Sequence, residues 1–553
     1  MKVTGAKVLL ECLKEFDVDT IFGYPGGAVI PIYDAIFDEK EITHVLTAHE
    51  QGATHAADGY ARATGKVGVV IATSGPGATN TVTGIATAYS DSIPLVIITG
   101  QVARDLIGRD SFQEVNITDI TSVITKKNYK VKNVECLPGT IREAFKVATS
   151  GRPGPVLIDI PKDVQTSLFD YEPLKNETVQ ADDKSSSPIV DCREAIDAIN
   201  NCKKPVIYAG GGVCISGASH ELLEFAEKLK APVTCSLMGL GSFPGNHPYF
   251  TGMVGMHGTH CSNFAVTNCD LLIAVGARFS DRVASDRNSF AANAKVIHID
   301  IDPREFGKNV SAEIPLCGDV KEILINLNKS VNTKKLSSWN IQIDQWMQEY
   351  PERYTNGGLS PQVVLKKLNE LTDEDTIITT EVGQHQIWTA QYFKFNKPRT
   401  LISSGGMGTM GFGLGAAIGA SFGCKNSRII NIAGDGSFKM NSTELATVAR
   451  YNLPVIQIVF NNHALGMVRQ WQDMFCKGRL SFTGYEEDVN FVKLADAYGI
   501  KGIKVTNEDE VEEAMTYALS LKEPVLIECV IDEQDKVFPM VAPGAPIDKI
   551  ISC

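Results

Sequence analysis

Two stretches of the chain combine residue types suited to catalysis. The first runs from Arg428 to Asn462. An apolar run, Ile429–Ala433, stops at Gly434-Asp435-Gly436. After 24 intervening residues a second apolar run, Val455–Phe460, stops at Asn461-Asn462. Two such strands in a parallel sheet end on the same edge, where open α/β sheets take ligands. Asp435 and Asn462 would then present two hard oxygens side by side, with Gly434 and Gly436 letting a phosphate come close. That donor set suits Mg²⁺, which prefers oxygen ligands and often shares them with a phosphate. Two plain strand-end turns would use the same residue types. The second stretch is LTAHEQGATHAADGYARATG, in which Glu50 opens a helix. A carboxyl group in a dry pocket has a raised pKa and can serve in general acid–base chemistry. An acid in a first helical turn also simply suits the helix dipole. His55, one turn on, reads as a structural histidine.

These residues need a scaffold that brings strand ends to one edge, and the chain supplies the pattern for it. Residues 1–165 alternate strands (Thr20–Gly23, His44–Ala48, Gly68–Ala72, Leu95–Thr99, Val156–Ile160) with helical segments such as Gly52–Thr64. Strands alternating with helices imply βαβ units and a parallel sheet. A polar, serine-bearing stretch, 166–187, reads as a linker. A second α/β unit spans 188–330, with strands Pro205–Ala209, Leu271–Val275 and Val296–Ile301. Residues 331–358 read as a second linker with a short helix, and a third unit spans 359–553. The expected fold class is α/β, with three doubly wound parallel-sheet domains. The first and third units look alike: SDSIPLVIITG (90–100) has a counterpart in RYNLPVIQIVF (450–460).

Length and charge narrow the function. A chain of 553 residues exceeds one core. A net charge of −13 disfavours nucleic acid and anionic membrane surfaces as partners. The 13 cysteines include no CxxC and no metal-ligand spacing, as expected of reduced thiols in a cytoplasmic enzyme. No run approaches the roughly 20 apolar residues of a membrane span, and the amino-terminal segment reads as an amphipathic helix rather than a signal peptide.

The GDG at 434–436 followed by Asn461-Asn462 resembles the diphosphate and metal motif of thiamine diphosphate enzymes. Five further strings, in order along nearly the whole chain, resemble the acetohydroxyacid synthase family, in its biosynthetic, FAD-containing type. They are Asp110–Glu114, Ile160–Asp163, Gly255–Gly258, Gly276–Arg282 and Met467–Trp471. The Arg-Phe-x-Asp-Arg of 278–282 is the pattern that flavin-free catabolic relatives lack. Ser280, where an acid is commoner, and Cys476, after Phe475, depart from the family pattern.

The resemblance implies a reaction and a set of roles. Pyruvate would lose CO₂ on thiamine diphosphate, and the hydroxyethyl unit would pass to a second pyruvate or to 2-ketobutyrate, on the route to valine, leucine and isoleucine. Glu50 would face the aminopyrimidine nitrogen; Gly27 and Gln113 would lie near the reacting carbon. The thiamine diphosphate itself would be held by Pro25, Gly408, Met410, Gln384 and His385, with Gly434, Gly436, Ser437 and Met467 completing its site. Asp435, Asn462 and the backbone at Ala464 would hold Mg²⁺. A structural FAD would lie on the middle unit, against Gly210, Gly211, Gly212, Gly276, Arg278 and Asp300, with Arg152, Met256 and His257 nearby. Arg282 would pair with the acceptor's carboxylate, since a guanidinium matches its fork. Trp471 would form an apolar shelf, Phe112 would line the pocket across a subunit interface, and Lys162, Met256 and Met467 would line the approach. A homodimer or tetramer with a small regulatory subunit would follow. Two other readings use much of the same chemistry: a pyruvate oxidase-like enzyme, and a non-catalytic paralogue.

Overall fold

The computed structural model describes residues 2–174, 190–351, 359–485 and 489–552. Three six-stranded sheets form its frame, and every strand pair within them is parallel. Their strands are apolar along most of their length, as required when helices cover both faces.

Counted in chain order within each unit, the first and third sheets share one strand order, 2-1-3-4-6-5. The similar segments noted in the sequence, 90–100 and 450–460, carry the same position, the fourth strand (Leu95–Gln101 and Val455–Asn461). The middle sheet runs 3-2-1-4-5-6. In the two outer sheets the order reverses between strands one and three, so their carboxyl ends open onto a crevice. In the third unit those strands are Ile377–Thr380 and Ile429–Gly434, which deliver His385 and Asp435.

The outer units pack on one another through the helices that follow their second strands, Glu50–Thr64 and Gly413–Gly423. Ala53, Ala56 and Ala57 share a buried cluster with Leu414, Ala416 and Ala417. The contact is backbone-close. A Cβ on Gly415 would lie 2.8 Å from the His55 Cβ, and one on Gly419 would overlap the Ala56 carbonyl oxygen.

Both predicted linkers differ from expectation. Residues 166–187 do not leave the first unit at once. Leu168–Asp170 pairs antiparallel with Lys2–Thr4, and buried Tyr171 reaches Glu15 and Cys12. The rest of that stretch, including its serine run, lies largely outside the described residues. In 331–358 the helix is Ser338–Glu349, and it belongs to the middle unit. Buried Trp339 donates its indole N–H to the Pro205 carbonyl at 3.1 Å, an anchor worth more than linker composition suggests. The Asn-Gly-Gly that follows lies outside the described residues.

The carboxyl-terminal segment from Ile531 runs back across two units. The Val537 N–H bonds Gln470 at 2.9 Å, the Val541 N–H bonds the Met256 carbonyl at 2.7 Å, and Asn263 donates to the Ile547 carbonyl at 2.9 Å. Ser552 lies 2.8 Å from His260. All twelve described cysteines are free thiols. No helix among the described residues is long and apolar enough to cross a membrane.

Candidate active site

Parallel pairing of Ile429–Gly434 with Val455–Asn461 sets Asp435 and Asn462 at adjacent strand ends on one edge. Asp435 is buried, with the Lys439 ammonium 4.0 Å away. Asn462 bends back on itself: its side-chain oxygen accepts the Ala464 N–H at 3.2 Å, and its amide donates to Gln384 at 3.2 Å. Gln384 in turn donates to Gln470 and to the Asp535 carbonyl. The Gln384 amide is thus committed to fixing Asn462. Among the described residues no three His, Cys, Asp or Glu side chains gather as metal ligands. Asp435, Asn462 and the turn at Ala464 fit an oxygen-seeking ion completed by phosphate oxygens.

His385 carries the clearest sign of an anion. Its ring packs over Gly434, where a Cβ would come 2.8 Å from Nδ1. Burial drives its pKa down to about 3, so the ring is neutral at pH 7. Its Nε2 is buried without a hydrogen-bond partner, a cost of about 1–3 kcal/mol for a polar atom left dry. A diphosphate oxygen accepting there would remove that cost.

The glycines around Asp435, expected to make room for phosphate, have a prior duty. Gly434 makes room for His385, and a Cβ on Gly436 would lie 2.7 Å from Leu465. The Ser437 hydroxyl is also engaged, donating to Glu381 at 3.0 Å and accepting the Gly411 N–H at 3.1 Å. Glu381, a position without a role in the sequence reading, is fully buried and also accepts the Leu414 N–H. It thereby ties the start of the Gly413–Gly423 helix to the Asp435 helix, where Ser437 holds the Gly411 N–H. Gly408 stands in left-handed backbone (φ 65°), and Met410 is half-buried beside it.

Glu50 begins the Glu50–Thr64 helix, with His49 as its cap. Glu50 is 9% exposed, and Asn80 donates to its carboxyl at 2.9 Å. Gly77 leaves it space: a Cβ there would come 3.1 Å from Oε1. Gly26 presses on Thr73, whereas a Cβ on Gly27 would meet nothing within 4 Å of this chain. Pro25 and Gly27 are not buried. His55 is buried as expected, 5.3 Å from the Phe412 ring centre, although its Nδ1 has no partner.

The acceptor residues fall into one group and two outliers. The Arg282 guanidinium carbon sits 5.7 Å from the centre of the Trp471 ring. The Arg282 carbonyl accepts the N–H of Met256, so the 255–258 string is tied to the 276–282 string. Met256 and His257 are buried, so Met256 supports the Arg282 loop rather than lining an open approach. Met467 is half-buried on the Trp471 helix. Phe112 is 88% exposed and Lys162 is exposed. Gln113 stands in left-handed backbone (φ 59°), packed on Gly75.

The middle sheet reverses between Pro205–Ala209 and Leu271–Val275; Gly210–Gly212, Gly276 and Arg278 follow those two strands, and Asp300 ends the neighbouring strand Lys295–Asp300. Gly212 and Gly276 touch: a Cβ on either would lie 2.7 Å from the other's Cα. The glycine run therefore serves loop-on-loop packing, a second reason for its composition. Gly210 is held by the Val275 carbonyl, and Gly211 opens a short helix. Asp300 is pushed up to about 6 by burial. Arg152, from the first unit, reaches Glu305 at 3.0 Å and Asp302 at 3.5 Å rather than Asp300.

Comparison with known proteins agrees with this architecture. Three family models match in order: thiamine pyrophosphate enzyme, N-terminal TPP binding domain (residues 3–121); central domain (192–327); and C-terminal TPP binding domain (381–529). A probable acetolactate synthase large subunit of Methanocaldococcus jannaschii is 47% identical over 99% of this chain and 95% of its own. The acetolactate synthase isozyme 2 large subunit of Escherichia coli is 46% identical over 98% of both chains. The acetolactate synthase large subunit of Haemophilus influenzae is 43% identical over 100% of this chain and 98% of its own. The chain belongs to the acetolactate synthase large-subunit family. Membership accounts for both outer units carrying the same strand order, since both are thiamine pyrophosphate-binding domains. What sequence reasoning missed in this family member are the residues that hold others: Asn80, Glu381, Gln470 and Glu444. None is a motif residue with an assigned role, and only a buried polar side chain in an apolar neighbourhood would have signalled them.

Proposed function

We infer that this protein is an acetolactate synthase. It decarboxylates pyruvate and transfers the hydroxyethyl unit to a second pyruvate or to 2-ketobutyrate. The products, 2-acetolactate and 2-aceto-2-hydroxybutyrate, are precursors of valine, leucine and isoleucine. The observation that carries this reading over an oxidase is Arg282 beside Trp471: a cation next to an apolar plane. An acceptor 2-keto acid needs that pair, and oxidation of pyruvate does not.

Thiamine diphosphate, once bound, would supply an acidic carbon and a sink for the charge that decarboxylation leaves. The chain's own residues do the rest. His385 and the Asp435 helix receive the diphosphate; Asp435, Asn462 and the Ala464 turn receive Mg²⁺. Glu50, kept dry and oriented by Asn80, exchanges a proton with the aminopyrimidine ring. Gly27, with open space around it, would face the reacting carbon, and Gln113 would offer a polar group from a preset loop. Arg282 takes the acceptor's carboxylate, and Trp471 takes its alkyl group. The middle unit's strand-end glycines, with Arg278 and Asp300, suit a structural FAD. The largely bare Phe112 and the open space at Gly27 fit a site completed by a second copy of the chain. The relatives' designation as large subunits supports a smaller regulatory partner.

The test is a product assay with pyruvate, thiamine diphosphate, Mg²⁺ and FAD. Acetolactate, read as acetoin after acid decarboxylation, is the expected product. Acetate with peroxide would reassign the protein as an oxidase, and no turnover would make it a non-catalytic paralogue.

A further inference from the structure

Glu50 and the Gly408–Met410 loop occupy equivalent places in two copies of one fold. Each follows the second strand of its sheet: Glu50 opens the helix through which the first unit touches the third, and the Gly408–Met410 loop leads into the third unit's helix at that contact. Each loop is also gripped by a carboxylate from the opposite unit. Asp91, in the connection to the first unit's fourth strand, accepts the N–H groups of Gly405 (3.0 Å) and Gly406 (2.7 Å). Arg62 pairs with Asp91 at 2.9 Å and donates to the Ser403 carbonyl at 2.9 Å. Glu444, in the connection to the third unit's fourth strand, accepts the N–H groups of Ala48 (3.2 Å) and His49 (3.1 Å). Beside it, Tyr451 accepts the Leu46 N–H at 2.8 Å. The backbone from Leu46 to His49 therefore rests on the third unit, and Glu50 is the next residue.

Glu444 is fully buried, and Thr447 donates to it at 2.6 Å. Its carboxyl fills the space over Gly52, where any Cβ would overlap Oε1. No contact described for the Glu50 carboxyl itself comes from the third unit; Asn80 and Gly77 both belong to the first. Position along the loop is thus set from one side of the interface and orientation from the other.

We propose that Glu444 is a positioning residue for the reaction: by holding the N–H groups of Ala48 and His49 from across the interface, it sets where the Glu50 carboxyl meets the cofactor ring. This rests on the reading of Glu50 as the group that exchanges a proton with that ring. Placement errors near 1 Å cost about 100-fold in rate. The carboxylate spans two N–H groups, and an amide offers only one oxygen to them. Glu444→Gln therefore loses half the grip, and Glu444→Ala loses all of it.

The test uses the full-length enzyme with thiamine diphosphate, Mg²⁺ and FAD. Hydrogen–deuterium exchange at C2 of the bound cofactor is followed by NMR after acid quench, alongside cofactor affinity by titration. Glu50→Gln sets the reference for a lost proton acceptor. Glu444→Gln should slow exchange by about 10-fold and Glu444→Ala by about 100-fold. Affinity should stay within about threefold of wild type, because the diphosphate site is untouched. Wild-type exchange in folded Glu444→Gln, with Glu50→Gln slow, overturns the role of Glu444 alone. Exchange that falls only in step with affinity also overturns it, since that marks general disruption. Wild-type exchange in Glu50→Gln overturns the reading of Glu50, and this proposal with it.

Discussion

The Arg282 guanidinium lies over the Trp471 ring, 5.7 Å from its centre, although the two are 189 positions apart in the chain and belong to the middle and third units. The backbone of Arg282 is tied to Met256, and the Trp471 helix is tied through Gln470 to Val537. The cation and the apolar plane are thus set independently and meet at one point, which suits a 2-keto acid with a charged end and an alkyl end.

Truncating Trp471 to Ala should lower the preference for 2-ketobutyrate over pyruvate. One methylene on an apolar surface discriminates by about 1–3 kcal/mol at most. With both acceptors in competition, the ratio of 2-aceto-2-hydroxybutyrate to 2-acetolactate should fall several-fold. An unchanged ratio removes Trp471 from the acceptor site.

His385→Ala should weaken thiamine diphosphate binding. A single hydrogen bond to a charged oxygen contributes about 1.5–3 kcal/mol, or roughly 10- to 100-fold in Kd. Titration of activity or of protein fluorescence with the cofactor reads this out. Equal affinity in the variant would assign the bare Nε2 to something other than the diphosphate.

Gly419→Ala should separate the outer units or unfold the chain, because the added methyl overlaps the Ala56 carbonyl. Overpacking a core commonly costs about 1–3 kcal/mol, and a clash with backbone lies at the upper end. A thermal unfolding temperature within about a degree of wild type would show that the helix crossing gives way easily.

Acid should destabilise the protein through its buried histidines. Burial, reinforced by Arg62, lowers His55 to about 3, below its unfolded value near 6.5. The unfolded chain binds more protons between those values, so this stabilisation is complete above about pH 6.5 and is lost as pH falls toward 3. Asp159 and Asp300, raised to about 6 by burial, act in the opposite sense: their contribution is present below about pH 4 and is lost as pH rises through 6. His55→Gln isolates the first effect. Chemical unfolding at pH 7 and pH 5 should show a smaller acid-induced loss in the variant, by up to about 1.4 kcal/mol per pH unit. Parallel losses in both proteins would refute it.

The catalytic edge is readable from the sequence because strand ends announce themselves. The runs at 429–433 and 455–460 are apolar and stop at turn residues, so Asp435 and Asn462 can be set side by side with no structure in hand. The relation of the outer units is visible in the Leu/Ile-Pro steps at 93–94 and 453–454 for the same reason. What stays hidden depends on long-range pairing. Glu444 bonds His49 across 395 residues, and nothing local to either residue encodes it. Gln384 resembles a diphosphate contact because it neighbours His385, yet its amide turns toward Asn462 and Gln470. The extension past residue 165 is hidden by brevity: a three-residue strand, Leu168–Asp170, has too little alternation to be seen. Ser338–Glu349 reads as linker because its charged and polar residues outnumber the few, Trp339 and Ile343, that it buries.

The path of the segment from Ile531 to Ser552 bears on how this protein can be handled. It fastens the Trp471 helix to the middle unit at Val537, Val541, Ile547 and Ser552, so the acceptor residues and the flavin-side loops share one tether. A fusion partner or an immobilising linker placed at that end would tug on the specificity pocket itself. Trimming it would leave Gln470, and with it Gln384 and Asn462, without a brace, so damage at the far end of the chain would surface first as a change in metal requirement.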